Sequence, residues 1–147
     1  LYDAFTEPEP HYAQIIKTDK LKPIEVYPKD ENKNANAIWD VKDASVARNG
    51  SDVKVKMIAV RSSFEPNKLE VNQGDKVTIY LTNIEQTTDE LHGFGLNDYN
   101  INVVVDPGET KTIEFVANKP GVFPYYCTNF CSALHQEMQG YMLVKPK

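Results

Sequence analysis

From Val53 onward the chain is cut into short runs that favour extended backbone, and a Gly or Pro turn closes most of them. Val53-Lys-Val-Lys-Met57 and Thr110-Lys-Thr-Ile-Glu-Phe115 alternate apolar and polar residues, the period of a strand with one face buried. Leu69-Glu-Val71 leads through the turn Asn72-Gln-Gly-Asp75 into Lys76-Val-Thr-Ile-Tyr-Leu-Thr82, which is rich in β-formers. Ile101-Asn-Val-Val-Val105 stops at Asp106-Pro-Gly108, Lys119-Pro-Gly121 precedes Val122-Phe-Pro-Tyr-Tyr126, and Tyr141-Met-Leu-Val144 is the last run. About seven short strands divided in this way predict an all-β sandwich. No internal repeat is visible.

The first 50 residues read differently. They are rich in Pro, Asp, Glu, Asn and Lys, and their apolar residues do not sustain either period. Lys29-Asp-Glu-Asn-Lys-Asn-Ala-Asn36 is a polar loop, while Pro23-Ile-Glu-Val-Tyr27 is long enough for a brief strand. The expected organisation is an extended arm with some docking strands over residues 1–50 and a β-domain over residues 51–147. No apolar run approaches the roughly 18 residues of a membrane helix. The N-terminus has no basic patch followed by an apolar stretch, and the chain begins at Leu1, so a processed or truncated piece of a longer protein is expected. A net charge of −5 with no basic stripe argues against nucleic acid as a partner, because nothing would neutralise the phosphates.

The chemistry concentrates between the last two strands. Cys131, His135 and Met138 form C-x3-H-x2-M on a loop, spacing at which three side chains can converge on one point. Thiolate, imidazole and thioether are a soft donor set, which selects copper over magnesium, calcium or manganese. With His92 upstream, the set would describe a mononuclear blue-copper site. Cys127 alters that reading, because two thiolates four residues apart can each bridge the same pair of copper ions. His92 and His135 would then cap one ion each, with Met138 and a backbone carbonyl as weak donors.

These residues bring a known family into view. The segment from about Phe64 to Lys145 resembles the CuA-binding cupredoxin domain shared by nitrous-oxide reductase and cytochrome c oxidase subunit II. It carries the C-x3-C-x3-H-x2-M loop with a histidine 35 residues before its first cysteine. The resemblance implies a cupredoxin-like Greek-key β-sandwich holding two copper ions as a CuA centre. Its ligands would be His92, Cys127, Cys131, His135 and Met138, with the main-chain carbonyl of Asn129. The runs His92-Gly-Phe, Tyr99-Asn-Ile-Asn102, Lys119-Pro-Gly-Val122, Tyr125-Tyr-Cys127 and Phe130-Cys-Ser-Ala-Leu-His135 look like the reductase branch. The oxidase subunit usually has Glu where this chain has Asn129 and Gly where it has Ser132, and it carries transmembrane helices ahead of its copper domain. Asn129 also departs from the Trp common in reductases, though a carbonyl ligand needs no particular side chain.

The resemblance further implies a periplasmic setting and electron entry from a small cytochrome c or cupredoxin. Exit would be to a catalytic copper cluster in an upstream β-propeller, reached across a homodimer, where nitrous oxide is reduced to dinitrogen. The arm, with Glu9-Pro-His-Tyr-Ala13 and Asp19-Lys-Leu-Lys-Pro23, is similar to the segment joining the reductase's two domains. His11 would then be a ligand of the catalytic cluster in a full-length protein and a solvent-exposed histidine here. The isolated segment would carry electrons without reducing nitrous oxide. Three alternatives remain: a soluble CuA domain of an oxidase subunit II-like protein, a copper storage or delivery protein, and a sandwich stapled by a Cys127–Cys131 disulfide. Met57 and Met142 read as core residues, and Phe94 and Phe130 as packing that keeps water from the site.

Overall fold

Val53, Val55, Met57 and Ala59 point to one side of their strand and all are fully buried, so the alternation in sequence becomes one wall of a core. A computed structural model describes residues 34–61, 63–86, 90–128 and 138–147. Its strands are β1 (Ser45–Asn49), β2 (Asp52–Val60), β3 (Ser63–Glu65), β4 (Lys68–Asn72), β5 (Lys76–Asn83), β6 (His92–Leu96), β7 (Ile101–Val105), β8 (Thr110–Val116), β9 (Gly121–Tyr126) and β10 (Gln139–Lys145). One sheet runs β1-β2-β5-β8 with β3 added to β2, and the other runs β4-β10-β9-β6-β7. Both are mixed, because β2 lies parallel to β5 and β4 parallel to β10. Among the described residues no helix is long and apolar enough to cross a membrane.

Register aligns the apolar rows. Val53, Val55 and Met57 sit opposite Val77, Ile79 and Leu81, and Ile79 sits opposite Ile113. In the second sheet Met142 faces Leu69 and Val144 faces Val71. The two inner faces form a single core with Phe64, Phe94, Leu96, Val105 and Tyr125. Burying each large side chain contributes about 1.5–3 kcal/mol. Met57 and Met142 are both fully buried in this core, as expected.

The sandwich has more strands than the sequence pattern suggests. β3 is only three residues long, and every residue of the edge strand β1 is exposed, so neither writes a clear alternation. β6 carries Gly93 and Gly95, residues depleted in strands, yet all five of its positions are buried. The turn between β1 and β2 falls at residues 50–51, so β1 precedes the segment read as the β-domain and pairs along its length with β2. Arg48 reinforces this edge: its guanidinium donates to Asp75 Oδ2 at 2.7 Å, and the same oxygen accepts the Asn72 N–H at 2.7 Å. Pro23–Tyr27 and the rest of residues 1–33 lie outside the described residues.

The strands that carry the candidate ligands are adjacent in the second sheet, and glycine sets their spacing. At Gly140, opposite Tyr125, an added Cβ would meet the Asn67 carbonyl at 2.5 Å and the Tyr125 ring at 2.6 Å. That ring is locked in turn, since its hydroxyl donates to the Pro66 carbonyl at 2.8 Å. Gly140→Ala is therefore expected to cost about 1–3 kcal/mol through overpacking, read as a lower urea midpoint at unchanged slope. An unchanged midpoint would mean that β9 and β10 tolerate a wider separation.

Candidate metal centre

β9 and β10 are neighbours in the sheet, and their last ladder pair is Tyr126 with Gln139. The chain leaves this pair at Cys127 and returns to it at Met138. The Cys127 N–H donates to the Met138 carbonyl at 3.0 Å and closes the neck of the intervening loop. Cys127 is 2% exposed and Met138 fully buried, and both join the main core, so the two ends of the loop are held inside the sandwich. β6 meets β9 at the Gly95–Tyr126 bridge. At Gly95 an added Cβ would stand 2.6 Å from Thr128 Cγ2, so the threonine side chain would have to shift. This close approach brings His92, the first residue of β6, beside Cys127.

His92 is fully buried, and its two ring nitrogens have different neighbours. Nδ1 lies 3.9 Å from Cys127 Sγ, while Nε2 lies 2.9 Å from Glu85 Oε2. Burial alone disfavours the charged ring, but the Cys127 sulfur and the Glu85 carboxylate outweigh it and push His92 up to about 9. Burial likewise opposes charge on Glu85, yet the bonds from His92 and from the Arg61 N–H hold its carboxyl below the usual range. In the core, Phe94 packs tilted against Tyr125 at 5.3 Å, and Phe64 meets both rings edge-on at 5.6 and 5.8 Å. Such aromatic pairs contribute about 0.5–1.5 kcal/mol each beyond the area they bury. All three rings are buried in the same core cluster as Cys127 and Met138.

Imidazole, thiol and thioether therefore come from three adjacent strand ends into one buried region. A metal-ligating imidazole commonly has one ring nitrogen tied to a carboxylate that orients it, leaving the other for the metal once its proton is lost. The residues present fit a soft transition metal. Of the ligands expected from sequence, the structure brings His92 and Cys127 together and sets Met138 at the neck. Asn129, Cys131 and His135 lie outside the described residues, as do Phe130 and His11. Sequence reasoning missed Glu85. It stands seven residues before His92 in a connection with no periodicity, so no spacing rule singles it out.

The family model for the cupredoxin-like domain matches residues 35–144. Nitrous-oxide reductase of Cupriavidus necator is 43% identical over 137 residues, 93% of this chain and 21% of that protein. Cytochrome c oxidase subunit 2 of Thermus thermophilus is 30% identical over 136 residues, 92% of this chain and 95% of that protein. A chain from the cryo-EM structure of a heme-copper terminal oxidase dimer superposes with a TM-score of 0.58 at 23% identity, covering 92% of this chain and 95% of its own; that likeness speaks to the fold. The chain thus spans about a fifth of the length of the reductases it matches.

The raised His92 value has a direct consequence in protein prepared without metal. Because it lies above the ordinary 6.5, the proton on His92 contributes stability that is fully present below about 6.5 and is lost as pH rises through about 9. The unfolding midpoint should fall across that window, and His92→Gln should flatten the profile. Imidazole resonances followed by NMR should titrate near 9, and a midpoint at or below 6.5 would contradict the geometry.

Proposed function

The chain belongs to the cupredoxin-like domain family, and on that premise we propose that it is the electron-transfer domain of a nitrous-oxide reductase, built around a CuA centre. The observation that carries this reading is the approach of His92 Nδ1 to Cys127 Sγ at 3.9 Å inside the core, with the opposite ring nitrogen held by Glu85. Cys127 and Cys131 would supply two shared thiolates, His92 and His135 one imidazole each, Met138 a thioether and Asn129 its main-chain carbonyl. Two copper ions held there would supply a one-electron couple delocalised over both metals. The protein's part is to keep the donors still, because a small change of geometry means a low barrier to electron exchange. The Cys127–Met138 hydrogen bond and the buried strand ends serve that purpose. His92 is itself fully buried, which strengthens its contacts with Glu85 and Cys127.

Within a full-length reductase, residues 1–50 would link the domain over residues 51–147 to a β-propeller that holds the catalytic copper cluster, with His11 among the cluster's ligands. Single electrons would enter from a periplasmic cytochrome c or cupredoxin and pass across a homodimer to the cluster that reduces nitrous oxide to dinitrogen. The 147-residue chain alone would exchange electrons without turning over nitrous oxide. One observation favours a second reading, a soluble CuA domain of an oxidase subunit 2-like protein: the chain covers 95% of the Thermus thermophilus subunit. The higher identity to the reductase, 43% against 30%, supports the first reading. A competent reductase propeller or an oxidase core as electron acceptor distinguishes them.

Electron paramagnetic resonance of the copper-loaded chain tests the centre itself. The expected spectrum is the hyperfine pattern of one unpaired electron shared equally by two copper nuclei. Cys127→Ser should replace it with the pattern of a single copper. A single-copper pattern in the unsubstituted protein would point away from a dinuclear centre, and loss of signal in every redox state would favour storage or delivery.

A further inference from the structure

One side of the sandwich ends in two open edges. Among the described residues β8 is paired only with β5 and β7 only with β6, so each sheet stops there at an edge strand. The edges face each other, because the Tyr99 ring, just before β7, lies 5.2 Å from the Phe115 ring of β8. A short turn joins the two strands, where the Glu109 N–H donates to the Asp106 carbonyl at 3.0 Å. Along this seam the inward alternation continues but the burial does not. Val53, Val55 and Val77, in the middle of the first sheet, are fully covered. Ile101, Val103 and Phe115 pack on the same core yet stay half-buried. An edge strand with apolar side chains beside it is a template for one more strand.

Three observations identify the strand that fits. Asn34, the first described residue, donates through Nδ2 to Thr112 Oγ1 of β8 at 3.3 Å, so the chain arrives at the domain beside this edge. Upstream, the run Pro23-Ile-Glu-Val-Tyr27 would put Ile24 and Val26 on one face of an extended backbone and Glu25 and Tyr27 on the other. The residues between that run and Asn34, 28–33, can span about 20 Å, while the far end of β8 at Val116 is only four residues from Thr112. Finally, Pro23 opens the run and Pro28 follows it. Proline has no N–H to donate, so it suits an outermost strand and discourages pairing with anything further out.

From this arrangement we propose that Pro23–Tyr27 adds to the open edge of β8 as a strand of the same chain, with Ile24 and Val26 turned inward over Ile101, Val103 and Phe115. The added strand supplies the apolar cover that the seam lacks, and its main chain pairs the outer edge of β8. Any segment upstream would then be attached to the domain at Pro23, beside β8. The docking is independent of the copper reading and holds with or without metal.

Hydrogen exchange and nuclear Overhauser effects in the full 147-residue, metal-free chain test it. The β8 amides that point away from β5 should be protected, and the Ile24 and Val26 methyl groups should show Overhauser contacts to Ile101, Val103 and the Phe115 ring. Ile24→Asp combined with Val26→Asp should speed exchange at those amides by about tenfold or more. Amides between β2 and β5 should keep their protection in that variant, which shows that the sandwich is still folded. Glu25→Ala, on the opposite face of the run, should change neither. Outward β8 amides that exchange freely in the unsubstituted chain, or protection that survives the double substitution, would overturn the proposal. Protection that comes with a dimeric mass and is lost on dilution would assign the edge to a second copy, and would overturn it equally.

Discussion

A side chain at residue 140 would strike the Asn67 carbonyl and the Tyr125 ring, so β9 and β10 can run side by side only because Gly140 has none. Gly95 eases a similar crowding between β6 and β9, where a Cβ would press on the Thr128 side chain. These two absences let three strand ends crowd together at one end of the sandwich. The hydrogen bond from Cys127 to Met138 then fixes where the chain leaves the sheet and where it comes back. Everything proposed about the site depends on that neck, because a loop whose ends are held loses less freedom when its donors are gathered.

A buried thiol beside a buried imidazole is costly unless something offsets the polar groups. Glu85 does so on one side of the ring by pairing with Nε2, and a bound cation would do so on the other. This explains why the metal-free pair holds a proton tightly on His92, and why a metal must displace that proton to bind. Cys127 and Met138 belong to the same core cluster as Phe64, Phe94 and Tyr125, so the packing that stabilises the sandwich also restrains these two residues.

Much of this was legible in the sequence, and the gaps have physical causes. Strands with one buried and one exposed face, such as β2 and β8, wrote their alternation plainly. β6 did not, since a strand buried on both faces and built around two glycines has no period to read. Its register matters most, yet only His92 within it drew notice, through its distance from Cys127. The structure sets His92 beside Cys127 and Met138 at the neck, while Asn129, Cys131, His135 and His11 fall outside the described residues. Glu85 was invisible because a carboxylate that meets a histidine through the fold leaves no spacing of its own. Its contact with His92 appears only when the ends of β2, β5 and β6 are brought together.

The central claim is that Cys127 shares one buried dinuclear copper centre with the rest of the ligand loop and His92. X-ray absorption at the copper edge of the loaded chain tests it most directly. The account predicts that each copper has a second copper as a near neighbour and more than one sulfur in its shell, together with imidazole nitrogen. A copper shell with a single sulfur and no metal neighbour would contradict it.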